Sequence, residues 1–328
     1  MDPQEEARLR TLASEAGLSV SRVEPLAGDV GTRRYSRLFT GSNETAIAVI
    51  YPESARESLR RWNRVREALS GRIRVPRVLA EGGDGVQILE DFGVWPLSRI
   101  WSETPRRRSD WLELAADCAA AVAETDDPLA NPAFTEEFFR SEMEKSRVAF
   151  FSGLARDPLS PAEEAVHDEF ASSLAREIAG HPQTFVHRDF HLDNLFETGG
   201  EVGVIDFQDA RLGPDSYDMA SLAFERATLV SPDMGIAEEA CRRFERAFPR
   251  PPGFGERLRR VSLQRSWKAA GTFARVCADG RGSAYRSFLA SQTARVLRLL
   301  GEGAAEREFA GILRARSVKL FGQEEVAC

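Results

Sequence analysis

Asp189, Asn194 and Asp206 stand within one run, His187–Asp209, that reads HRDFHLDNLFETGGEVGVIDFQD. A carboxylate five positions before an asparagine, followed by a glycine-bearing turn and a second carboxylate ending the apolar segment Val202–Ile205, is a set suited to phosphoryl transfer. That reaction needs a carboxylate to orient the attacking hydroxyl and accept its proton, and oxygen ligands to hold magnesium against the β- and γ-phosphates of a nucleotide. Asp189 suits the first task, and Asn194 and Asp206 suit the second, at the spacing of an HRDxxxxN loop followed by a metal-binding aspartate. Any one aspartate in a loop is ordinarily a turn or cap residue. Here the base, the asparagine, the turn at Gly199–Gly200 and the second aspartate are expected together, and the hairpin would bring the two metal ligands side by side.

His187, at the start of this loop, reads as a scaffold that donates to a backbone carbonyl, and His191 as a loop stabiliser or a neighbour of the acceptor. Further upstream, Ala27–Tyr35 (AGDVGTRRY) separates two β-type segments. Gly28 and Gly31 would let backbone amides approach phosphates, with Thr32 beside them. A third strand, Ala46–Tyr51, carries none of the lysine that kinases place there, and no lysine precedes Lys145. Arg33 or Arg34 would supply that charge through a guanidinium suited to phosphate oxygens. At Gln87–Gly93 (QILEDFG) the strands give way to helices, and Glu90 and Phe92 mark the segment expected to offer backbone groups to adenine.

The elements that must position these residues follow from periodicity. Asp2 as N-cap, Pro3, Glu5 and Glu6 open a first helix that ends before Gly17. Short β-type segments follow at Val23–Ala27, Tyr35–Thr40, Ala46–Tyr51, Arg77–Ala80 and Val86–Glu90, with Leu59, Trp62, Val65 and Leu69 at helical spacing after the third. Beyond Gly93 the pattern is mainly helical, near Arg108–Glu124, Thr135–Phe151, Pro161–Ala179, Ser216–Leu229, Ile236–Phe248 and most of Phe254–Leu320. Ser160 and Glu163 form a capping-box pattern there. Only Thr184–Asp206 interrupts the helices, as two short strands around a loop. The expectation is an α+β, bilobal, protein-kinase-like fold: residues 1–92 a nucleotide-binding sheet with one helix, and residues 93–328 a larger, mainly helical lobe.

Composition narrows the class further. The chain has 328 residues and a formal net charge of −7, which disfavours nucleic acid and anionic membranes as partners. Of 44 basic residues only Lys145, Lys268 and Lys319 are lysines. Cys118, Cys241, Cys277 and Cys328 lack any spacing for zinc or a disulfide framework. No apolar run approaches the ~18 residues of a membrane helix, and the polar start MDPQEEARLR is unlike a secretory leader. A cytoplasmic protein, monomeric or weakly dimeric, is expected.

HRDFHLDN, VIDFQDA and GPDSYDMASL together resemble the aminoglycoside-phosphotransferase-like superfamily. GTRRY, VPRVLAE, LEDFG, IDFQDA and LQRSWKAAGTFARVCADGR resemble, more narrowly, its bacterial amino-sugar anomeric kinases of cell-wall recycling, which act on N-acetylmuramate and N-acetylglucosamine. The resemblance spans almost the whole chain and implies ATP and Mg²⁺ as cofactors, Asp189 as base, Asn194 and Asp206 as metal ligands, and a phosphate contact near Arg33. It further implies a sugar held by Gln208 and Asp209 beside the metal and by Glu142 on the Thr135–Phe151 helix, with Arg265 and Lys268 in the selective late segment. Asp218 would cap or brace the helix after it. Another alcohol, such as an aminoglycoside or amino alcohol, is the alternative acceptor, and a nucleotide-binding pseudokinase the alternative class.

Overall fold

The computed structural model describes residues 2–26, 33–41, 44–223, 234–280, 282 and 285–322. Helix α1 (Pro3–Glu15) begins where Asp2 accepts from the Gln4 amide. It precedes β1 (Val20–Leu26), β2 (Arg34–Thr40) and β3 (Thr45–Ile50), then α2 (Arg56–Leu69), β4 (Val78–Gly82) and β5 (Val86–Glu90). The five strands form one antiparallel sheet in the order β1-β2-β3-β5-β4.

Side-chain alternation along these strands sorts the residues by face. Ala46, Ala48 and Ile50 of β3 and Val86 and Ile88 of β5 pack in one core with Leu9 and Ala13 of α1. Ile47, Val49 and Tyr51 point the other way, the side on which Gln87 bonds Asn63 of α2 at 2.9 Å.

By compactness the described chain divides into two units, Met1–Asn131 with His191–Ala210, and Pro132–Phe190 with Arg211–Cys328. The first thus contains the sheet, α3 (Leu97–Glu103), α4 (Arg108–Ala123) and the hairpin of β7 (Leu195–Thr198) and β8 (Glu201–Val204). Gly199 and Gly200 make its turn with φ of +70° and +94°, a left-handed pair that glycine adopts without steric cost.

The second unit is mainly helical. It holds α5 (Glu136–Arg147), a π-helical turn (Val148–Leu154), α6 (Pro161–Ala179), α7 (Tyr217–Ala223), α8 (Met234–Ala247), α9 (Phe254–Ala278), α10 (Arg286–Leu299) and α11 (Ala304–Phe321). Ser160 and Glu163 form the expected capping box at α6. Its core joins Phe139, Met143, Phe150, Phe170, Trp267 and Phe309. One sheet there was not foreseen: β6 (Gln183–Val186) pairs antiparallel with β9 (Arg211–Pro214), a strand whose four residues, Arg-Leu-Gly-Pro, carry no alternation. Cys118, Cys241 and Cys277 form no disulfide among the described residues. Among the described residues no helix is long and apolar enough to cross a membrane.

Candidate active site

The sheet face opposite α1 lines a cleft of about 460 Å³ in the first unit. Leu26, Ile47, Val49 and Leu89 from the strands, Trp62 from α2, Phe92 after β5, and Phe196 and Ile205 from the hairpin make its apolar walls. Its polar groups are Arg33, Tyr35, Arg37, Tyr51, Glu90, Asp91, Asn194, Asp206, Gln208 and Asp209. A mostly apolar slot with polar groups converging on part of its wall is the usual form of a small-molecule site of this volume.

The expected phosphate arginines separate by strand alternation. Arg33 lines the cleft beside Tyr51, 4.0 Å from Asp206 Oδ1. Arg34, one residue on, pairs with Glu5 of α1 and is not part of the lining. Gly31 and Thr32 lie outside the described residues.

Where the sheet ends, the carboxylate of Glu90 pairs with Arg74 and bonds Arg77 at 3.3 Å. Burial opposes its ionisation, yet these hydrogen bonds hold its pKa below the ordinary glutamate value. Phe92 packs against the hairpin, its ring 6.3 Å from that of Phe196, so closely over Gly203 that a Cβ there would lie 2.7 Å from the ring. Sequence reasoning missed the pair beside them: Arg37 grips Asp91 at 2.6 and 3.3 Å and also donates to the Gly93 carbonyl at 3.0 Å. The Asp91 side chain is only 2% exposed, and the Gly93 amide donates to it at 2.7 Å.

Asn194 and Asp206 flank the β7–β8 hairpin, and the Ile205 amide donates to the Asn194 carbonyl at 3.0 Å, so the two residues expected to bind metal stand together at its open end. Asp206 has φ +63°, a conformation uncommon for a residue with a Cβ. The segment after it is tied down. Gln208 donates to Asp206 Oδ1 at 2.8 Å, buried Asn131 donates to the Gln208 and Ala210 carbonyls at 2.9 and 2.8 Å, and Phe207 packs on Trp62 with centroids 5.3 Å apart. One carboxylate and one amide oxygen form a hard donor set. With Arg33 alongside and the cleft at hand, that set fits magnesium carried in with a nucleotide.

Asp189 belongs to the second unit, with its side chain 31% exposed. Arg188 before it has φ +82°. The cause of that strained turn is visible in its partners: the Asp218 carboxylate accepts from the backbone amides of His187 at 2.6 Å and Arg188 at 3.0 Å, while Arg265 donates to the Arg188 carbonyl at 3.0 Å. Asp218, in the first turn of α7, therefore braces the loop before Asp189, whereas its sequence position points to a brace for the helix. Burial pushes the Asp218 pKa up, against the pull of His187, the two amides and Arg265. Arg265 also bonds the Ser221 hydroxyl at 2.7 Å and lies over the Tyr217 ring, so it too is committed to the loop's support.

The remaining residues expected to hold the acceptor fall in both units. Gln208 and Asp209 line the cleft of the first. In the second, Glu142, 13% exposed at its side chain, is neutralised by Lys145 at 3.0 Å and Lys268 at 3.9 Å.

Comparison with known proteins bears on this arrangement. The profile of the APH phosphotransferase enzyme family matches residues 22–253. The chain is 29% identical over 284 residues to the N-acetylmuramate/N-acetylglucosamine kinase of Pseudomonas aeruginosa, covering 82% of each chain. It is 27% identical over 262 residues to the kinase of the same name from Neisseria meningitidis serogroup B, covering 76% of this chain and 77% of that one. Among solved structures, the gentamicin–APH(2")-IIa complex superposes with a TM-score of 0.62 at 12% identity, covering 94% of this chain and 98% of the other. That likeness carries the fold: protein-kinase-like α+β.

Proposed function

Because the chain belongs to the APH phosphotransferase enzyme family, we propose that it transfers the γ-phosphoryl group of ATP to the anomeric hydroxyl of N-acetylmuramate or N-acetylglucosamine, giving the sugar 1-phosphate. The observation that carries the phosphoryl-transfer reading is the hairpin that sets Asn194 beside Asp206 on a cleft lined by Arg33. The choice of acceptor is supported by the relatives' names.

In this reading residues 1–92 supply the nucleotide side, and residues 93–328 the catalytic loop, metal ligands and acceptor side. Ile47, Val49, Leu89 and Phe92 bury the adenine, and Arg33 holds phosphate oxygens. Asn194 and Asp206 are the residues that would hold magnesium, whose chemistry, when bound with the nucleotide, is to neutralise the β- and γ-phosphate oxygens. Asp189, five residues before Asn194, orients the sugar hydroxyl and accepts its proton as the oxygen attacks the γ-phosphorus and ADP departs. Positioning and electrostatics supply most of the rate.

The pairing of Glu142 with two lysines favours a neutral or anionic sugar over an aminoglycoside, because a polycation would meet a carboxylate already neutralised. The test is incubation of purified protein with Mg-ATP and each amino sugar, followed by phosphorus NMR. An anomeric phosphate is expected. Its absence with both sugars, while an aminoglycoside or amino alcohol is phosphorylated, would transfer the assignment to that acceptor. Nucleotide binding with no product from any alcohol would make the chain a pseudokinase.

A further inference from the structure

The third strand and the residue that follows it present Ile47, Val49 and Tyr51 to the cleft, two aliphatic side chains and a phenol, and no cation. A strand that faces nucleotide phosphates without a lysine leaves their charge to be met from elsewhere. The register shows where. Arg34 pairs with Ile50 and Tyr35 with Val49, so continuing the antiparallel ladder by one step sets Arg33 opposite Tyr51 on the cleft face.

Both side chains line the cleft, and the guanidinium lies close enough to the phenol to pull its pKa down. Tyr51 is 2% exposed, so its oxygen is fixed rather than free to swing. Burial, followed by the neighbouring Tyr35, holds the phenol protonated well above its ordinary pKa; Arg33 pulls the other way without reversing this. A neutral phenol costs the arginine none of its charge. Tyr35 flanks the same guanidinium, its ring centroid 5.8 Å away, and Asp206 lies on the remaining side at 4.0 Å. Arg33 thus stands next to a metal-ligand candidate, and of these three neighbours the two tyrosines leave its charge intact while Asp206 opposes it.

We propose that Tyr51 is a positioning residue that aims Arg33 at the nucleotide phosphates, so that a cross-strand phenol–guanidinium pair does the work of a third-strand lysine. This rests on the phosphate role given to Arg33 under Proposed function and adds the residue that makes the role possible. A guanidinium offers a planar, two-point hold on phosphate, but its long stem has many rotamers. A buried acceptor one strand away removes that freedom before the nucleotide arrives, which lowers the ordering cost of binding.

The test is calorimetric titration of the full chain with Mg-ATP and, separately, with adenosine, for wild type, Tyr51→Phe, Arg33→Ala and the double variant. Tyr51→Phe should weaken ATP roughly tenfold, the scale of one hydrogen bond to a charged group, and leave adenosine unchanged. Added to Arg33→Ala it should cost nothing more, because its effect passes through the arginine. In turnover, KM for ATP should rise while KM for the sugar and kcat hold. Unchanged ATP affinity in Tyr51→Phe, equal loss of adenosine, or additive losses in the double variant would each overturn the proposal. If Arg33→Ala binds ATP as wild type does, the phosphate role itself fails, and this inference with it. Should Tyr51→Phe not fold, Arg33→Lys on the cleft rim answers the same question. It keeps the charge but loses the fork, so ATP affinity should still fall, and wild-type affinity would overturn the pairing.

Discussion

Asp189, Asp218 and Arg265 show how a loop can be set by residues far from it in sequence. The backbone before Asp189 bends through a left-handed arginine, and two amides that such a bend would otherwise strand are taken by one buried carboxylate 30 and 31 positions later. Asp218→Asn would keep one acceptor and turn an amide NH₂ toward a backbone N–H. We expect a stability loss of about 1–3 kcal/mol and a fall in kcat, read from urea melts and steady-state rates on the same preparation. Asp189→Asn should behave differently: folding and Mg-ATP affinity intact, kcat lower by about 10²–10⁴. Retained turnover in that variant would remove Asp189 from the role of base. The two substitutions thus separate the residue proposed to take the proton from the residue that holds its loop.

At the scale of elements, α5 and α9 approach closely because glycine permits it. A Cβ on Gly271 of α9 would lie 2.4 Å from the Ser146 Cα of α5, and backbone cannot yield as a side-chain tip can. Gly271→Ala should therefore destabilise by about 1–3 kcal/mol through overpacking, despite the gain in helix propensity. A rise in melting temperature would show that the helices separate at little cost. α9 also carries Lys268 and α5 carries Glu142, the pair that the proposed function sets on the acceptor side, so a shift between the helices should raise KM for the sugar before it affects KM for ATP. The capping box of α6, the first helix and the strand–helix order from β1 to β5 were legible in the sequence, since caps and periodicity are local. The β6–β9 pair was not legible: each strand has four residues, and their pairing depends on a chain excursion of more than twenty residues between them.

Across the whole molecule, one contact joins positions 153 residues apart and makes stability depend on pH. Arg316 of α11 bonds both oxygens of Glu163 on α6, at 2.6 and 3.0 Å, and with the Ser160 amide it holds the Glu163 pKa down to about 2. Its ordinary value is 4.5, so the folded state binds this proton more weakly than the unfolded one. The stabilisation is accordingly full above about pH 4.5 and is lost as pH falls toward 2. The melting temperatures of wild type and Glu163→Gln should differ at pH 6 and converge near pH 2; a constant difference would show that the pair does not titrate as described.

The sequence by itself determined the chemistry. HRDFHLDN and the hairpin to Asp206 are contiguous, so spacing alone sets Asn194 and Asp206 at the two ends of one hairpin, and the alternation of apolar residues sorts the sheet into two faces. Tertiary structure decided which groups complete that chemistry. Whether Arg33 or Arg34 enters the cleft depends on strand register, which moves every side chain to the other face with a slip of one residue. That Tyr51 stands beside Arg33, that Asp218 braces His187 and Arg188, and that Lys268 neutralises Glu142 depend on pairings between segments separated by 18 to 126 positions. Hydrogen bonds and charges act over a few ångströms of space, and the chain order carries no record of which distant residues the fold will bring within that reach.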